Sequence, residues 1–164
     1  MIYLANGLGF SALARGALDG IKQRLEAEGF SVFEPFEEGK ELGEKISALL
    51  ETEKNIDTLK EDLAKINHEI GRRNASAIDK ASIVLAILDG GLDLDSGVAA
   101  EIGYGAGKGK KVFGYRTDFR SAGENPGATI NLQVEFFVKQ SGGNILSDID
   151  ALVKALSSPP SRKQ

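Results

Sequence analysis

Three acidic residues that lie close together in the sequence, Asp89, Asp95 and Glu101, have the types and spacing of a carboxylate site. Residues 83–88 are a continuous apolar run rich in β-branched side chains, which predicts a strand buried on both faces. Asp95 and Ser96 can cap a helix that carries Glu101, and ligands of open α/β sheets bind where a strand passes into such a helix. We therefore expect the three carboxylates to meet at one pocket, with Glu101 as a nucleophile or a base.

Each of these acids also has a purely structural interpretation. Asp89 can simply end its strand, and a single Glu in a helix is more often a solvated charge than a catalytic group. The small and apolar neighbours of Glu101 make the catalytic interpretation as good as the solvated one. The glycines that alternate over residues 103–109 do not form a phosphate-binding loop, because such a loop precedes its helix. They predict close packing of the helix against the sheet or another subunit.

Composition and charge narrow the functional classes. The chain has 164 residues, 41% of them hydrophobic and 27% charged, which is ordinary for one soluble domain. The net charge of -4 and the pI near 5.1 argue against a nucleic-acid partner. The lack of cysteine and the single histidine, His68, exclude disulfides, thiolate chemistry and a multi-histidine metal site. No apolar run is long enough to span a membrane and no signal peptide begins the chain, so we expect a cytoplasmic protein without a membrane partner.

Strand and helix signals alternate along the chain. Strands are expected at residues 2–5, 31–33, 83–88, 111–115 and 143–146. Ser11 is expected to cap a helix whose apolar face begins with Leu13. Residues 37–80 are expected to be mostly helical, and residues 147–156 to form a closing helix. Residues 129–140 fit the period of a helix and that of a strand equally poorly.

Because connections between parallel strands are right-handed, this alternation of strands and helices predicts an α/β fold. The fold class that we expect is a three-layer sandwich with a mostly parallel, about five-stranded sheet of the flavodoxin-like or Rossmann-like kind. No internal repeat or low-complexity tract divides the chain. The sequence therefore predicts a single domain over residues 1–157 and a flexible tail over residues 158–164.

The predicted helix that carries Glu101 resembles part of a known family. Residues 95–104, Asp-Ser-Gly-Val-Ala-Ala-Glu-Ile-Gly-Tyr, are similar to the signature of the nucleoside 2-deoxyribosyltransferases, an Asp and a small-residue turn followed by Glu-aliphatic-Gly-Tyr. Four further segments resemble parts of that family in the same order, namely residues 2–5, 35–36, 110–118 and 130–132. The resemblance spans roughly residues 1–157, and the Asp-to-Tyr signature is its most specific part.

The resemblance implies transfer of a 2-deoxyribosyl group between nucleobases, through a covalent intermediate on Glu101 and with retention of the β-anomer. Tyr3 would lie beside this nucleophile, Asp95 would bind the 5′-hydroxyl of the sugar, and Asn131 would reach a neighbouring subunit's site. Further substrate-binding residues are expected to be Gly7, Asn74, Asp89 and Ser96. The implied partners are a 2′-deoxynucleoside and a free nucleobase, without a cofactor or metal. The enzyme is expected to be a homo-oligomer, either a dimer or an assembly of dimers.

Two positions depart from the family. The family often has an Asp where this chain has Asn74, and an amide cannot act as a general acid at neutral pH. Delivery of a proton to the leaving base would then fall to water or to another acid such as Asp89, or Asn74 would only orient the base. Gly39 stands where some members have a base-contacting Gln, so the choice between purines and pyrimidines stays open.

Two other functions also stay open. Hydrolysis of the N-glycosidic bond of a 2′-deoxynucleoside 5′-monophosphate is the activity of a sister branch of the family. The carboxylate of Asp95 would repel a phosphate by about 1 to 4 kcal/mol at contact distance, which favours the transferase. A non-catalytic nucleotide-binding module is the third hypothesis, and Glu101 would be dispensable for it. From the sequence, Tyr3 as a core aromatic and Asn131 as a helix cap are as plausible as their roles in a site.

Overall fold

Five parallel strands form one sheet in the computed structural model, which describes residues 1–91 and 93–158. The strands are β1 (Ile2–Ala5), β2 (Val32–Phe33), β3 (Ile83–Ile87), β4 (Lys111–Tyr115) and β5 (Ile145–Leu146). Their order across the sheet is β2-β1-β3-β4-β5, and every neighbouring pair is parallel. This is the flavodoxin-like strand order, so the predicted α/β fold class is confirmed.

Seven α-helices connect and flank these strands in the part of the chain that the structure describes. They are α1 (Arg15–Ala27), α2 (Pro35–Glu38), α3 (Lys40–Thr52), α4 (Ile56–Lys80), α5 (Ser96–Gly107), α6 (Leu132–Gln140) and α7 (Ile149–Ser157). Five of them are preceded by an N-cap residue whose side chain accepts hydrogen bonds from N–H groups of the first turn. These N-cap residues are Glu34, Asn55, Asp95, Asn131 and Asp148. The caps at Asp95 and Asn131 fix where the two helices nearest the candidate site start.

Apolar clusters cover both faces of the sheet and make it the middle layer of three. On one face α4, α5 and α6 contribute the buried side chains of Ile78, Ile102 and Val138. On the other face α1 and α7 contribute Leu25 and Leu152. The central strand β3 is therefore covered on both sides, which explains why its sequence is continuously apolar rather than alternating.

The strand order places a crevice at the carboxyl ends of β1 and β3. These two strands are neighbours, but the chain runs from β1 to β2 on one side and from β3 to β4 on the other. The connections therefore diverge and leave an opening above the sheet, where α/β proteins of this kind bind their ligands. The loop that begins at Asn6 and the start of α5 border this opening.

The structure differs from the sequence-based expectations at the start of α1. Two single turns of 3-10 helix, Leu8–Phe10 and Ala12–Ala14, precede the helix, which begins only at Arg15. Ser11 makes no side-chain cap, and Leu13 is 98% exposed, so the prediction that Leu13 faces the core is wrong. The tighter 3-10 turns break the helical period, and within α1 itself Leu18 and the predicted Leu25 are buried.

The ambiguous segment over residues 129–140 contains α6. Asn131 favours a helix at this position, because its side-chain oxygen accepts hydrogen bonds from the backbone N–H groups of Gln133 and Val134 and caps the first turn. Leu132 and Phe136 remain half exposed, which explains why the apolar pattern of this segment was unclear. Of the predicted tail, all but Ser158 lies outside the described residues. Among the residues that are described, no helix combines the length and apolarity needed to cross a membrane.

Candidate active site

Tyr3 and Glu101 form the centre of the candidate site. Tyr3 is fully buried in β1, and its hydroxyl donates a hydrogen bond of 2.6 Å to Oε1 of Glu101. The ring of Tyr3 stacks on Phe33 of the neighbouring strand, with 5.6 Å between the ring centroids. Glu101 lies on α5, whose buried residues Val98 and Ile102 hold the helix against the sheet. Packing in the core therefore brings together a phenol and a carboxylate that lie 98 residues apart in the sequence.

The two oxygens of the Glu101 carboxylate have different surroundings. Asn74 on α4 donates from Nδ2 to the same Oε1 at 3.4 Å, so both donors hold one oxygen. Among the described residues none donates to Oε2. One oxygen is thus fixed and the other is free to form a bond, which is the arrangement that a carboxylate nucleophile needs.

Burial controls the ionisation of this pair. Desolvation raises the pKa of Glu101 to about 7, and the hydrogen bond from Tyr3 opposes this increase. The negative charge of Asp95 raises the pKa of Glu101 further, and the Asn74 hydrogen bond lowers it. Burial and the adjacent Glu101 both raise the pKa of Tyr3, which therefore stays a neutral hydrogen-bond donor at physiological pH. Glu101 is consequently poised to change its charge near neutral pH.

A titration of the Glu101 carboxyl carbon by NMR should therefore show an inflection near pH 7. The Tyr3→Phe variant removes a donor that stabilises the carboxylate, so its inflection should move to higher pH. An unperturbed glutamate side chain, with an inflection near 4.3, provides the reference value. An inflection of Glu101 near 4.3 in both proteins would contradict the hydrogen-bonded, desolvated site described above.

Asp95 contributes to both the fold and the site. Its Oδ1 caps α5 by accepting from the Val98 N–H at 3.0 Å, while no described residue donates to its Oδ2. Gly7 allows this placement, because a Cβ at position 7 would lie 2.9 Å from the Cβ of Asp95. Gly97 does so as well, because its Cβ would lie 3.0 Å from Oδ1 of Asp95. The predicted helix cap is confirmed, and one carboxylate oxygen remains free to accept a hydrogen bond from a ligand.

Glu101 and Asp95 line a cavity of about 830 Å³, which is large enough for a nucleoside. Its polar part also includes Asn6 and Asn74. Its remaining walls come from α2, α3, α4 and the turns before α1, and their main side chains are Phe10, Arg15, Phe36, Ile46 and Ile70. The cavity therefore combines carboxylates and amides with an extended apolar surface, as sites for small organic ligands do.

Asp89 does not join the other two carboxylates, so the predicted convergence of all three is wrong. It is absent from the cavity lining. Its carboxylate accepts from the backbone N–H and the hydroxyl of Thr117, at 2.6 to 3.0 Å, and from the N–H of Asp118. These donors belong to the loop after β4, so Asp89 joins the ends of two neighbouring strands rather than facing the crevice.

Ser96 and Asn131 line a different cavity, of about 540 Å³, between the starts of α5 and α6. Asn131 uses its oxygen to cap α6 and donates from Nδ2 to Glu124 at 2.5 Å. Neither residue borders the Glu101 cavity of its own chain. The expectation that Asn131 acts in a neighbouring subunit's site stays a prediction.

Sequence reasoning missed several residues that border or support the cavity. Phe10 and Phe36 meet edge to face with their ring centroids 4.7 Å apart, and Arg15 lies 5.9 Å from the centroid of Phe36. Glu34 is buried behind them. The signal available for Glu34 was its place before Pro35, since an acid followed by proline at the first helical position is typical of a helix start. Across residues 1–91 and 93–158, no group of three or more His, Cys, Asp or Glu is placed to hold a metal ion.

The family model described as nucleoside 2-deoxyribosyltransferase matches residues 2–133, a span that contains Tyr3, Asn74, Asp95 and Glu101. The chain belongs to this family. No curated protein matches the chain in sequence. Family membership supports a deoxyribosyltransferase-type activity.

Solved structures of low sequence identity share the fold over nearly the whole chain. A 2-deoxyribosyltransferase from Bacillus psychrosaccharolyticus is 22% identical, with a TM-score of 0.58 and coverage of 93% of this chain and 89% of that chain. A 2-deoxyribosyltransferase from Leishmania mexicana is 17% identical, with a TM-score of 0.59 and coverage of 95% and 93%. A CMP N-glycosidase from Clostridium botulinum is 15% identical, with a TM-score of 0.51 and coverage of 94% and 95%.

Proposed function

We propose that the protein transfers the 2-deoxyribosyl group of a 2′-deoxynucleoside to a free nucleobase, through a covalent bond to Glu101. The observation that carries this proposal is the asymmetric carboxylate. Tyr3 and Asn74 hold Oε1, whereas Oε2 has no donor among the described residues, and Glu101 lines a cavity of nucleoside size. A carboxylate held in this way can attack an anomeric carbon and later leave it.

Two displacements complete the reaction. Oε2 of Glu101 forms a bond to the anomeric carbon while the bond from that carbon to the base nitrogen breaks, and the base departs with the electron pair and gains a proton. A nitrogen of the second base then attacks the same carbon, loses its proton to water and expels the Glu101 carboxylate. Each step inverts the anomeric carbon, so the product keeps the β configuration.

Tyr3 and Asp95 support these steps in different ways. The hydrogen bond from the Tyr3 hydroxyl stabilises the carboxylate form of Glu101, both before attack and when it leaves the sugar. In our proposal, Oδ2 of Asp95 accepts a hydrogen bond from the 5′-hydroxyl of the deoxyribose. Because Asn74 is an amide and Asp89 lies outside the cavity, we assign the proton for the leaving base to water.

The alternative is hydrolysis of a nucleoside 5′-monophosphate. Its supporting observation is that Arg15 and Lys40 also line the cavity and could neutralise a phosphate. Against it stands Asp95, whose carboxylate would repel the phosphate of a substrate bound with its 5′ end near α5. We therefore favour a nucleoside over a nucleotide as the substrate.

Base exchange separates these functions directly. The protein is mixed with deoxyinosine and free cytosine, and the products are resolved by chromatography. Formation of deoxycytidine is the result that the transferase predicts. Release of the base from a deoxynucleoside monophosphate, with no transfer to added cytosine, would favour the hydrolase, and no reaction with either substrate would favour a non-catalytic module.

We also propose a homo-oligomer in which Asn131 completes a neighbouring subunit's site. Mixing two inactive variants tests this directly, because each supplies what the other lacks. The Glu101→Ala chain retains Asn131, and the Asn131→Ser chain retains Glu101 and a residue able to cap α6. After the two are mixed and allowed to exchange subunits, roughly a quarter of the wild-type exchange activity should return, since half of random dimers hold one complete site.

Each variant incubated alone provides the control for this mixture. Full activity of Asn131→Ser alone would mean that Asn131 serves only as the cap of α6. Absence of recovery in a mixture whose subunits demonstrably exchange would contradict the proposal that Asn131 completes a neighbouring subunit's site.

A further inference from the structure

Glu34 is a buried carboxylate behind the cavity that connects several of its walls. It ends β2, is 3% exposed and does not itself line the cavity. Its Oε1 accepts from Nδ2 of Asn6 at 2.8 Å and from the Phe36 N–H at 3.2 Å. Its Oε2 accepts from the Glu37 N–H at 2.8 Å and from Nη1 of Arg15 at 3.5 Å. Four donors therefore converge on one carboxylate.

These donors come from three separate segments, each of which carries a cavity-lining side chain. Asn6 follows β1, and its Oδ1 accepts from the Gly9 N–H at 2.8 Å, which fixes the turn that carries Phe10. The Phe36 N–H belongs to α2, which Glu34 caps. Arg15 begins α1, and its Nη2 also donates to the Gly9 carbonyl at 3.4 Å. Removing Glu34 would remove a contact that all three segments share.

The cavity residues that Glu34 holds differ from the groups assigned to the sugar. In the proposed function Glu101 and Asp95 contact the sugar, which leaves the aromatic pair Phe10 and Phe36, with Arg15, for the base. Aromatic faces stack on any base, and a guanidinium only donates, so it pairs with ring nitrogens and carbonyl oxygens. This wall has the chemistry that a nucleobase requires.

We propose that Glu34 is a positioning residue that holds the base-binding wall of the cavity. The proposal rests on the proposed function, because it takes the ligand of this wall to be a nucleobase. Glu34 acts through Asn6, Phe36 and Arg15 and does not contact the base. Its loss should weaken binding of the base and leave the nucleophile on α5 intact.

Glu34→Gln is the most informative substitution, because it keeps the size and removes half of the acceptors. Each carboxylate oxygen faces two donors, so a Gln amide in either orientation turns its NH2 group toward two N–H donors. Glu34→Asp keeps the charge and should recover part of the network. Glu37→Gln is the matched control, since its exposed side chain pairs with Lys22 on the surface and does not line the cavity.

The experiment measures base exchange at varied acceptor base, together with the extent of covalent labelling of Glu101 by a 2′-deoxynucleoside alone. For Glu34→Gln we expect KM for the acceptor base to rise about tenfold, while kcat and the labelled fraction stay within about twofold of wild type. The KM of Glu34→Asp for the acceptor base should lie between the values of wild type and Glu34→Gln, and Glu37→Gln should match wild type. Thermal unfolding of each variant checks that the fold is retained.

An unchanged KM for the base in Glu34→Gln would overturn the proposal, and so would a fall in kcat or labelling with KM unchanged. If Glu34→Gln does not fold, Glu34→Asp decides the matter, and a wild-type KM in that variant would overturn the proposal. Failure of the proposed function is distinguishable, since the wild-type protein would then show neither labelling nor exchange.

Discussion

Replacing Glu101 with alanine should lower the rate of base exchange at least about 1000-fold, which corresponds to roughly 4 kcal/mol of barrier. The variant lacks the oxygen that attacks the anomeric carbon in the proposed reaction, and no other described carboxylate is within hydrogen-bonding distance of the Tyr3 hydroxyl to replace it. Initial rates of deoxycytidine formation from deoxyinosine and cytosine measure the effect. Near-normal exchange by Glu101→Ala would exclude Glu101 as the nucleophile.

Glu101→Gln provides the control for folding, with a stability signature of its own. The pKa of Glu101 rises from an ordinary 4.5 to about 7 in the folded protein, so folding favours the protonated acid. That contribution to stability is present at low pH and is lost as the pH rises through about 7, at most about 3 kcal/mol. The neutral Gln avoids this loss, so Glu101→Gln should unfold at a higher temperature than wild type near pH 8. Near pH 4 the two proteins should be similar.

Replacing Asp95 with alanine should lower kcat/KM for the deoxynucleoside about 100-fold. The proposed charge-assisted hydrogen bond to the 5′-hydroxyl accounts for about 1.5 to 3 kcal/mol of this loss. The variant also loses the cap of α5, the hydrogen bond of 3.0 Å to the Val98 N–H, which should lower the free energy of unfolding by about 1 kcal/mol. Steady-state kinetics and thermal unfolding measure the two effects separately.

Asp95→Asn separates the two roles of this residue, because Asn is as good an N-cap as Asp. This variant should keep nearly the wild-type stability and still lose about tenfold in kcat/KM, since a neutral amide binds the hydroxyl less strongly. In this variant the pKa of Glu101 should also be lower than in wild type, because the negative charge of Asp95 raises it. If Asp95→Asn matched wild type in kcat/KM, Asp95 would act as a helix cap alone.

The fold and the centre of the site were predictable because local signals agreed with the packing. A continuous apolar run can be buried on both faces only in the middle of a sheet, and β3 lies there. Asp95 has the residue type of a helix cap, so the start of α5 and the place of Glu101 on it follow from the sequence. The pairing of Tyr3 with Glu101 was inferred from the family resemblance, since no local pattern connects residues so far apart.

The misplacement of Asp89 and the omission of Glu34 have a common physical cause, namely contacts between segments distant in the sequence. Asp89 ends its strand as predicted, but its direction is set by Thr117 and Asp118 of the neighbouring strand's loop, 28 and 29 residues later. Leu13 fits a helical period, yet 3-10 turns hold that part of the chain. Glu34 collects donors from 28 residues before it to 3 residues after it. No periodicity or short motif encodes such a network.

The measurement that tests the central claim most directly is the mass of the intact protein after rapid mixing with a 2′-deoxynucleoside and acid quenching. Peptide mapping then locates any added group. We predict a mass increase of one 2-deoxyribosyl group, located on Glu101 and discharged when a free nucleobase is added before quenching. Ongoing base exchange by an unmodified protein, or an adduct on a residue other than Glu101, would contradict it.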